Sequence, residues 1–211
     1  MPPACRSAYL DGVGCRWHSV GMAIEVRPAN VFEDVRTIVG PKNPDSNVCW
    51  CLSYRIPSKE HLALRGPERG ERVRRLIDEV GAIGVLAYDE ADVVGWAAVA
   101  PRTDTHFATF RKIPHVDDLD VWSVWCLRVR PGHRKQGISH ALLAGAVDFA
   151  RENGAPAIEG YPVDNKGAKV DLTMAYVGTR SLFQKAGFRK AADTDSVLSG
   201  LPRVLMRLDL P

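Results

Sequence analysis

The run from Val121 to Gly154 constrains the fold more than any other part of the chain. Val121–Val129 is an apolar, strand-like stretch, Pro131 and Gly132 turn the chain, and a helix over Ile138–Asn153 follows. Leu142, Leu143, Ala146, Val147 and Ala150 keep one apolar stripe along that helix, and Gly154 ends it. Strand and helix must share a core, which points to an α/β layer rather than an all-helical or all-β fold.

The flanking segments add the other elements. Met22–Pro28 reads as a short strand opening a domain, and a helix follows with Asn30 as N-cap, Glu33 and Asp34 in its first turn and Gly40 beyond its end. Residues 42–47 are a loop and 48–54 read as extended. Ser58 caps a brief helix over 59–64, and Pro67–Val80 is a longer helix stopped by Gly81. Ile83–Tyr88 and Val93–Ala100 flank the acidic turn 89–92 as an antiparallel hairpin. Residues 101–119 form a long surface connection. Ala157–Tyr161 is a strand, 162–176 a polar loop, Thr179–Ala186 a short helix before Gly187, and Arg203–Leu208 a closing strand. The order predicts one α/β layer with a mixed sheet. Residues 1–21 show no periodicity, so they are expected to be a disordered tail or upstream extension, with Met22 as the natural start and the domain over 22–211.

A formal charge of +3, with no basic block or stripe, gives no reason to expect nucleic acid or an acidic membrane as a partner. No segment approaches the roughly 18 apolar residues of a membrane helix. Five cysteines, an odd number without a secretory leader, predict reduced thiols and a cytoplasmic protein.

The chemistry is concentrated in Leu127-Arg128-Val129-Arg130-Pro131-Gly132-His133-Arg134-Lys135-Gln136-Gly137-Ile138-Ser139. A turn feeding a helix N-terminus gathers unpaired N–H groups in one concavity, where the helix dipole also favours an anion. Gly137 lets a phosphate approach the backbone, Arg134 and Lys135 add charge, and Ser139 offers a hydroxyl. The loop is not a nucleotide P-loop, since Ile138 and Ser139 stand where Lys and Ser/Thr are needed. The three glycines of a dinucleotide fingerprint are also missing.

Val-x-Pro-x-x-Arg-x-x-Gly-x-Ser, from Val129 to Ser139, resembles the acetyl-CoA signature of the GNAT superfamily of N-acetyltransferases, with Ser139 a small departure at the third small residue. Leu142-Leu143, Ile158-Glu159-Gly160 and Ser181-Leu182-Phe183-Gln184-Lys185-Ala186-Gly187-Phe188 extend the resemblance over about 22–209. Cys49-Trp50-Cys51 and Glu159-Gly160-Tyr161-Pro162-Val163 are similar to a subfamily of bacterial acetyltransferases. The resemblance implies a single-layer mixed, mostly antiparallel, splayed sheet flanked by helices. It also implies acetyl-CoA as acyl donor, with the pyrophosphate on Arg134, Lys135, Gln136, Gly137, Ile138 and Ser139 and the pantetheine against backbone groups of Leu127 and Val129. The acceptor is expected to be an amine attacked directly.

Such a transfer needs a proton source for the departing thiolate and a means of deprotonating the amine. The family's usual tyrosine acid aligns with Phe183, which has no proton to give. Tyr176 and Tyr161 are the nearest replacement acids, water being the other proton source because a thiolate is a good leaving group, and Glu159 is the first candidate base; an ion pair with Lys or Arg is its competing role. The alternative function is a catalytically idle acyl-CoA sensor, for which Phe183 is the support. Cys49 and Cys51 lack a second zinc-ligand pair, so no metal is expected, and they are read as part of the acceptor wall. That wall is drawn from loops around 50–55, 101–119 and 162–176. Alternation along the central strand sets Ser123, Trp125, Leu127 and Val129 on one face and Trp122, Val124, Cys126 and Arg128 on the other. No heptad defines an oligomeric state.

Overall fold

The computed structural model describes residues 15–19, 22–171 and 176–211. Among them, eight strands form one sheet in the order β1-β2-β3-β4-β5-β6-β8-β7. The strands are β1 (Cys15–Ser19), β2 (Met22–Pro28), β3 (Gly84–Asp89), β4 (Asp92–Pro101), β5 (Trp122–Val129), β6 (Ala157–Gly160), β7 (Arg189–Leu198) and β8 (Leu201–Asp209). Every neighbouring pair is antiparallel except β5 with β6. The expected mixed, mostly antiparallel sheet is therefore present.

Five α-helices among the described residues cover it: α1 (Phe32–Val39), α2 (Ser58–Ala63), α3 (Pro67–Val80), α4 (Ile138–Glu152) and α5 (Arg180–Lys185). The period-2 alternation of the strands divides the core in two. Leu86, Trp96, Ala98 and Trp125 pack with Val35, Ile38, Val73 and Ile77 on the α1/α3 face. Val85, Ala87, Ala97, Val99 and Val124 pack with Leu142, Leu143 and Ala146 of α4 on the other. Val26 lies so close to α4 that a Cβ at Gly145 would stand 2.3 Å from it, so this crossing requires glycine.

Four local features differ from what periodicity predicts. α1 begins at Phe32 with Val31 as N-cap and no side-chain cap bond, so Asn30 does not serve. Residues 48–54 are not extended: Trp50 and Cys51 take φ of 53° and 56°, turning the chain back under the sheet. β7 was invisible in the sequence because it is largely exposed and carries no apolar alternation. β1 joins the sheet edge before Met22, where no strand signal exists. The tail expectation for residues 1–14 and 20–21 lies outside the described residues.

The largest departure is in β5. β4 places only Ala97 between the partners of Trp125 and Arg128, whereas β5 places Cys126 and Leu127 there. Two residues opposing one is a β-bulge, and Cys126 sits in it with φ 54°. The extra residue inverts the alternation. Cys126 stays with Trp125 on the α1/α3 face, while Leu127 and Val129 pass to the α4 face with Trp122 and Val124. The predicted division of β5 therefore holds only up to Trp125.

Candidate active site

Beyond the bulge the sheet opens. β5 and β6 pair only at Trp122–Ile158, Ser123–Glu159 and Val124–Gly160, after which no ladder joins them. A cavity of about 620 Å3 occupies the gap. Its wall on one side is β5 from Trp125 to Val129 and the following turn through His140; on the other it is Tyr176, Gly178, Thr179 and Leu182. Cys49, Cys51, Ser53 and Tyr54 from the loop before α2 complete the lining.

The turn into α4 is shaped for an anion. Gly132, Lys135 and Gly137 all take positive φ, at 93°, 65° and 82°. The N–H groups of residues 134–139 donate to no backbone acceptor among the described residues. They lie at the N-terminus of a 15-residue helix, so the dipole adds to their partial charges. A Cβ on Gly137 would meet nothing within 4 Å, so its surroundings are open space, and its left-handed backbone still favours glycine. Arg128, His133, Arg134, Lys135 and His140 line the same cavity, and no carboxylate does so among the described residues. Burial and nearby Lys185 hold the His140 imidazole below its ordinary pKa.

Of the predicted donor-binding residues, Leu127, Val129, Arg134, Lys135, Gly137, Ile138 and Ser139 all line this cavity. Gln136 does not. Its side-chain amide turns back to the Gly132 carbonyl at 3.4 Å, and the residue faces a neighbouring hollow with His140, Arg151 and Lys185. The Leu127 N–H is already engaged, donating to the Tyr176 carbonyl at 2.7 Å.

The three candidate catalytic residues separate. Glu159 is 0% exposed and does not line the cavity. Arg102, itself 5% exposed, donates to its carboxylate at 2.9 Å, and the Tyr161 hydroxyl donates at 3.2 Å. Burial pushes the Glu159 carboxyl up while Arg102 pulls it back. Glu159 is thus ion-paired with arginine, as in the competing reading, and stands outside the cavity lining. Tyr161 is equally enclosed: its hydroxyl lies 2.9 Å from that of Ser123, and burial raises its pKa. β6 is buried along its whole length and Tyr161 follows directly on it, and strand periodicity cannot distinguish such a buried strand from a cleft edge.

Tyr176 is the one that faces the cavity. Its phenol is raised well above the ordinary tyrosine value, by burial first and then by the hydrogen-bonded Tyr54. Tyr54 stacks on Phe107 at 4.6 Å and accepts a bond from the buried Arg203 at 3.3 Å. Sequence reasoning singled out neither Tyr54 nor Arg203, whose roles arise from contacts between elements far apart in the chain. Phe183 is fully buried, edge-on to Phe188 at 5.0 Å, and its ring would lie 2.1 Å from a Cβ on Gly160. That position is core.

Cys51 and Cys126 are joined as a disulfide, with Cα atoms 6.5 Å apart, whereas Cys49 is a free, exposed thiol. The expectation that all cysteines are reduced is therefore corrected. The bulge is the physical reason, since regular alternation would turn Cys126 towards α4. No group of three His, Cys, Asp or Glu among the described residues is arranged to hold a metal ion. No helix among them is long and apolar enough to cross a membrane.

Known proteins with this architecture include the ribosomal-protein-alanine N-acetyltransferase from Brucella melitensis (19% identity over 88% of this chain and 99% of that one, TM-score 0.54). YncA from Salmonella typhimurium, solved with its cofactor acetyl-CoA, matches at 16% identity over 89% and 94% of the two chains, TM-score 0.53. PaiA N-acetyltransferase from Thermoplasma acidophilum, solved with coenzyme A, matches at 15% identity over 89% and 99%, TM-score 0.50. At these identities the likeness establishes the fold. No curated protein sequence matches. The family is established by the model of the acetyltransferase (GNAT) family, which matches residues 52–188, the stretch holding the bulged strand, the anion turn and both walls of the cleft; the chain belongs to that family.

Proposed function

We propose that this protein transfers the acetyl group of acetyl-CoA directly to an amine. The observation that carries the reading is the run of N–H groups at residues 134–139 that have no backbone acceptor among the described residues, at the mouth of a 15-residue helix, with Arg134, Lys135, Gly137, Ile138 and Ser139 lining the cleft. A pyrophosphate satisfies those donors, and Arg134, Lys135 and the Ser139 hydroxyl add to them. YncA and PaiA, solved with acetyl-CoA and coenzyme A, support the same donor here.

In this reading the pantetheine arm runs along the part of β5 that β6 has left, and Tyr176 is the acid that protonates the departing thiolate. Its raised pKa keeps it protonated throughout the neutral range. Glu159 and Tyr161 hold β6 to the connection after β4 rather than moving protons. The described cleft residues include no carboxylate, so the amine reaches the thioester already neutral.

Calorimetry of acetyl-CoA with the unaltered chain and with Gly137→Trp tests the donor site. Binding that disappears in a mutant with an unchanged circular dichroism spectrum supports it; a chain that binds no acetyl-CoA at concentrations well above micromolar removes it. Release of CoA with any amine, above background, separates the transferase from an idle sensor.

A further inference from the structure

Three cysteines line the cleft, and the transfer reaction does not use any of them. Cys51 and Cys126 are disulfide-bonded across 75 residues of sequence, and Cys49 stands free with its thiol 2.8 Å from the Ser53 hydroxyl. The pairing depends on two unusual pieces of backbone. Cys51 takes φ 56° in the turn before α2, and Cys126 takes φ 54° in the β5 bulge. Both are conformations that L-residues seldom adopt, and between them they bring two sulfurs from the β5 wall and the loop before α2 into one place. The cavity that holds the pair is the one that holds the anion turn, and Arg128, Arg134 and Lys135 give it a positive field. Such a field favours thiolate over thiol.

Resting on the reading of this cleft as an acyl-CoA site, we propose that the Cys51–Cys126 disulfide is a covalent capture site for the thiol of coenzyme A. The thiolate of bound CoA attacks one sulfur of the pair. The Cys51–Cys126 bond breaks, a CoA–cysteine disulfide forms, and the displaced cysteine leaves as a thiolate that takes up the proton lost by CoA. One disulfide is consumed and one is made, so no oxidant enters the step. Acetyl-CoA cannot make this attack because its sulfur is acylated; the free thiol, which is the product of transfer, can. Captured CoA fills the donor site and excludes acetyl-CoA until another thiol reopens the mixed disulfide. Binding through the nucleotide end holds the CoA thiol beside the pair at a high effective concentration, so CoA should outpace a thiol of similar reactivity that has no such anchor.

The test uses full-length protein purified without reductant, treated with CoA or with glutathione at equal concentration, and followed by non-reducing intact-mass spectrometry and peptide mapping. Acetyl-CoA binding is measured in parallel by calorimetry. The expected result is one CoA per chain, on Cys51 or Cys126, formed at least about tenfold faster than the glutathione adduct. Excess acetyl-CoA should slow it, dithiothreitol should reverse it, and Cys49→Ala should leave it in place. A Cys51→Ala/Cys126→Ala double variant should show none. Acetyl-CoA binding without any adduct overturns the capture site alone, as does an adduct confined to Cys49 or a glutathione adduct formed as fast. Cys51 and Cys126 that both remain alkylatable after treatment with diamide overturn it too. Absence of acetyl-CoA binding overturns both the capture site and the donor reading beneath it.

Discussion

The Tyr176 carbonyl accepts the Leu127 N–H at 2.7 Å, one residue beyond the bulge at Cys126. The segment after β6 thus returns to β5 across the opening in the sheet, and its tyrosine side chain is left on the cleft wall. A phenol tethered through its own main chain keeps its place when the hydroxyl is removed. Tyr176→Phe should lower kcat about 100-fold, the lower end of the range for a lost general acid, with the KM for acetyl-CoA nearly unchanged. Steady-state kinetics at saturating amine checks this, and an unchanged kcat would remove Tyr176 as the proton donor.

Arg102 and Glu159 form an ion pair from which water is excluded. Without Arg102 the buried carboxylate keeps only Arg207, 3.6 Å from its other oxygen, so Arg102→Ala should cost about 3 kcal/mol of folding stability, the lower end for a broken buried pair. Urea denaturation measures it. Glu159→Gln should also lower the midpoint while leaving the pH dependence of kcat/KM in place. A Glu159→Gln variant of native stability that had lost the acidic limb of the pH profile would return Glu159 to the role of base.

His140 gives stability a pH dependence of known sign. Its folded pKa is depressed by burial and by Lys185. Below the ordinary histidine value the unfolded chain therefore binds a proton that the folded chain refuses. The stability is present above that value and is lost as pH falls from about 6.5 through the folded pKa. The loss is modest because the ring is partly solvated. Urea midpoints between about pH 7 and pH 5.5 should fall less steeply in His140→Gln than in the unaltered chain, and parallel slopes would contradict the assignment.

With no carboxylate among the described cleft residues, the amine's own ionisation should govern the rate. log(kcat/KM) should rise with unit slope and level off near the pKa of whichever amine is supplied. A peptide α-amine levels off near about 8 and a lysine side chain near about 10.4. One breakpoint shared by both amines would instead reveal a base on the protein.

The sequence by itself determined the parts of this protein whose signal is local. The apolar stripe of α4, the strand before it, and the Arg134–Ser139 turn between them are spelled within one stretch of chain, and the structure places them as the spelling predicts. Proline at the start of α3, Gly81 at its end and the hairpin of β3 and β4 are of the same kind. Tertiary structure decided what depends on neighbours. Glu159 reads equally well as a cleft base or a buried anion until Arg102, 57 residues away, is brought to it. By alternation Cys126 belongs with α4 until one extra residue in β5 turns it towards Cys51. Periodicity carries side-chain direction only while the ladder is regular. A bulge, a splayed strand or a return loop resets it, and those are the features from which this cleft is made.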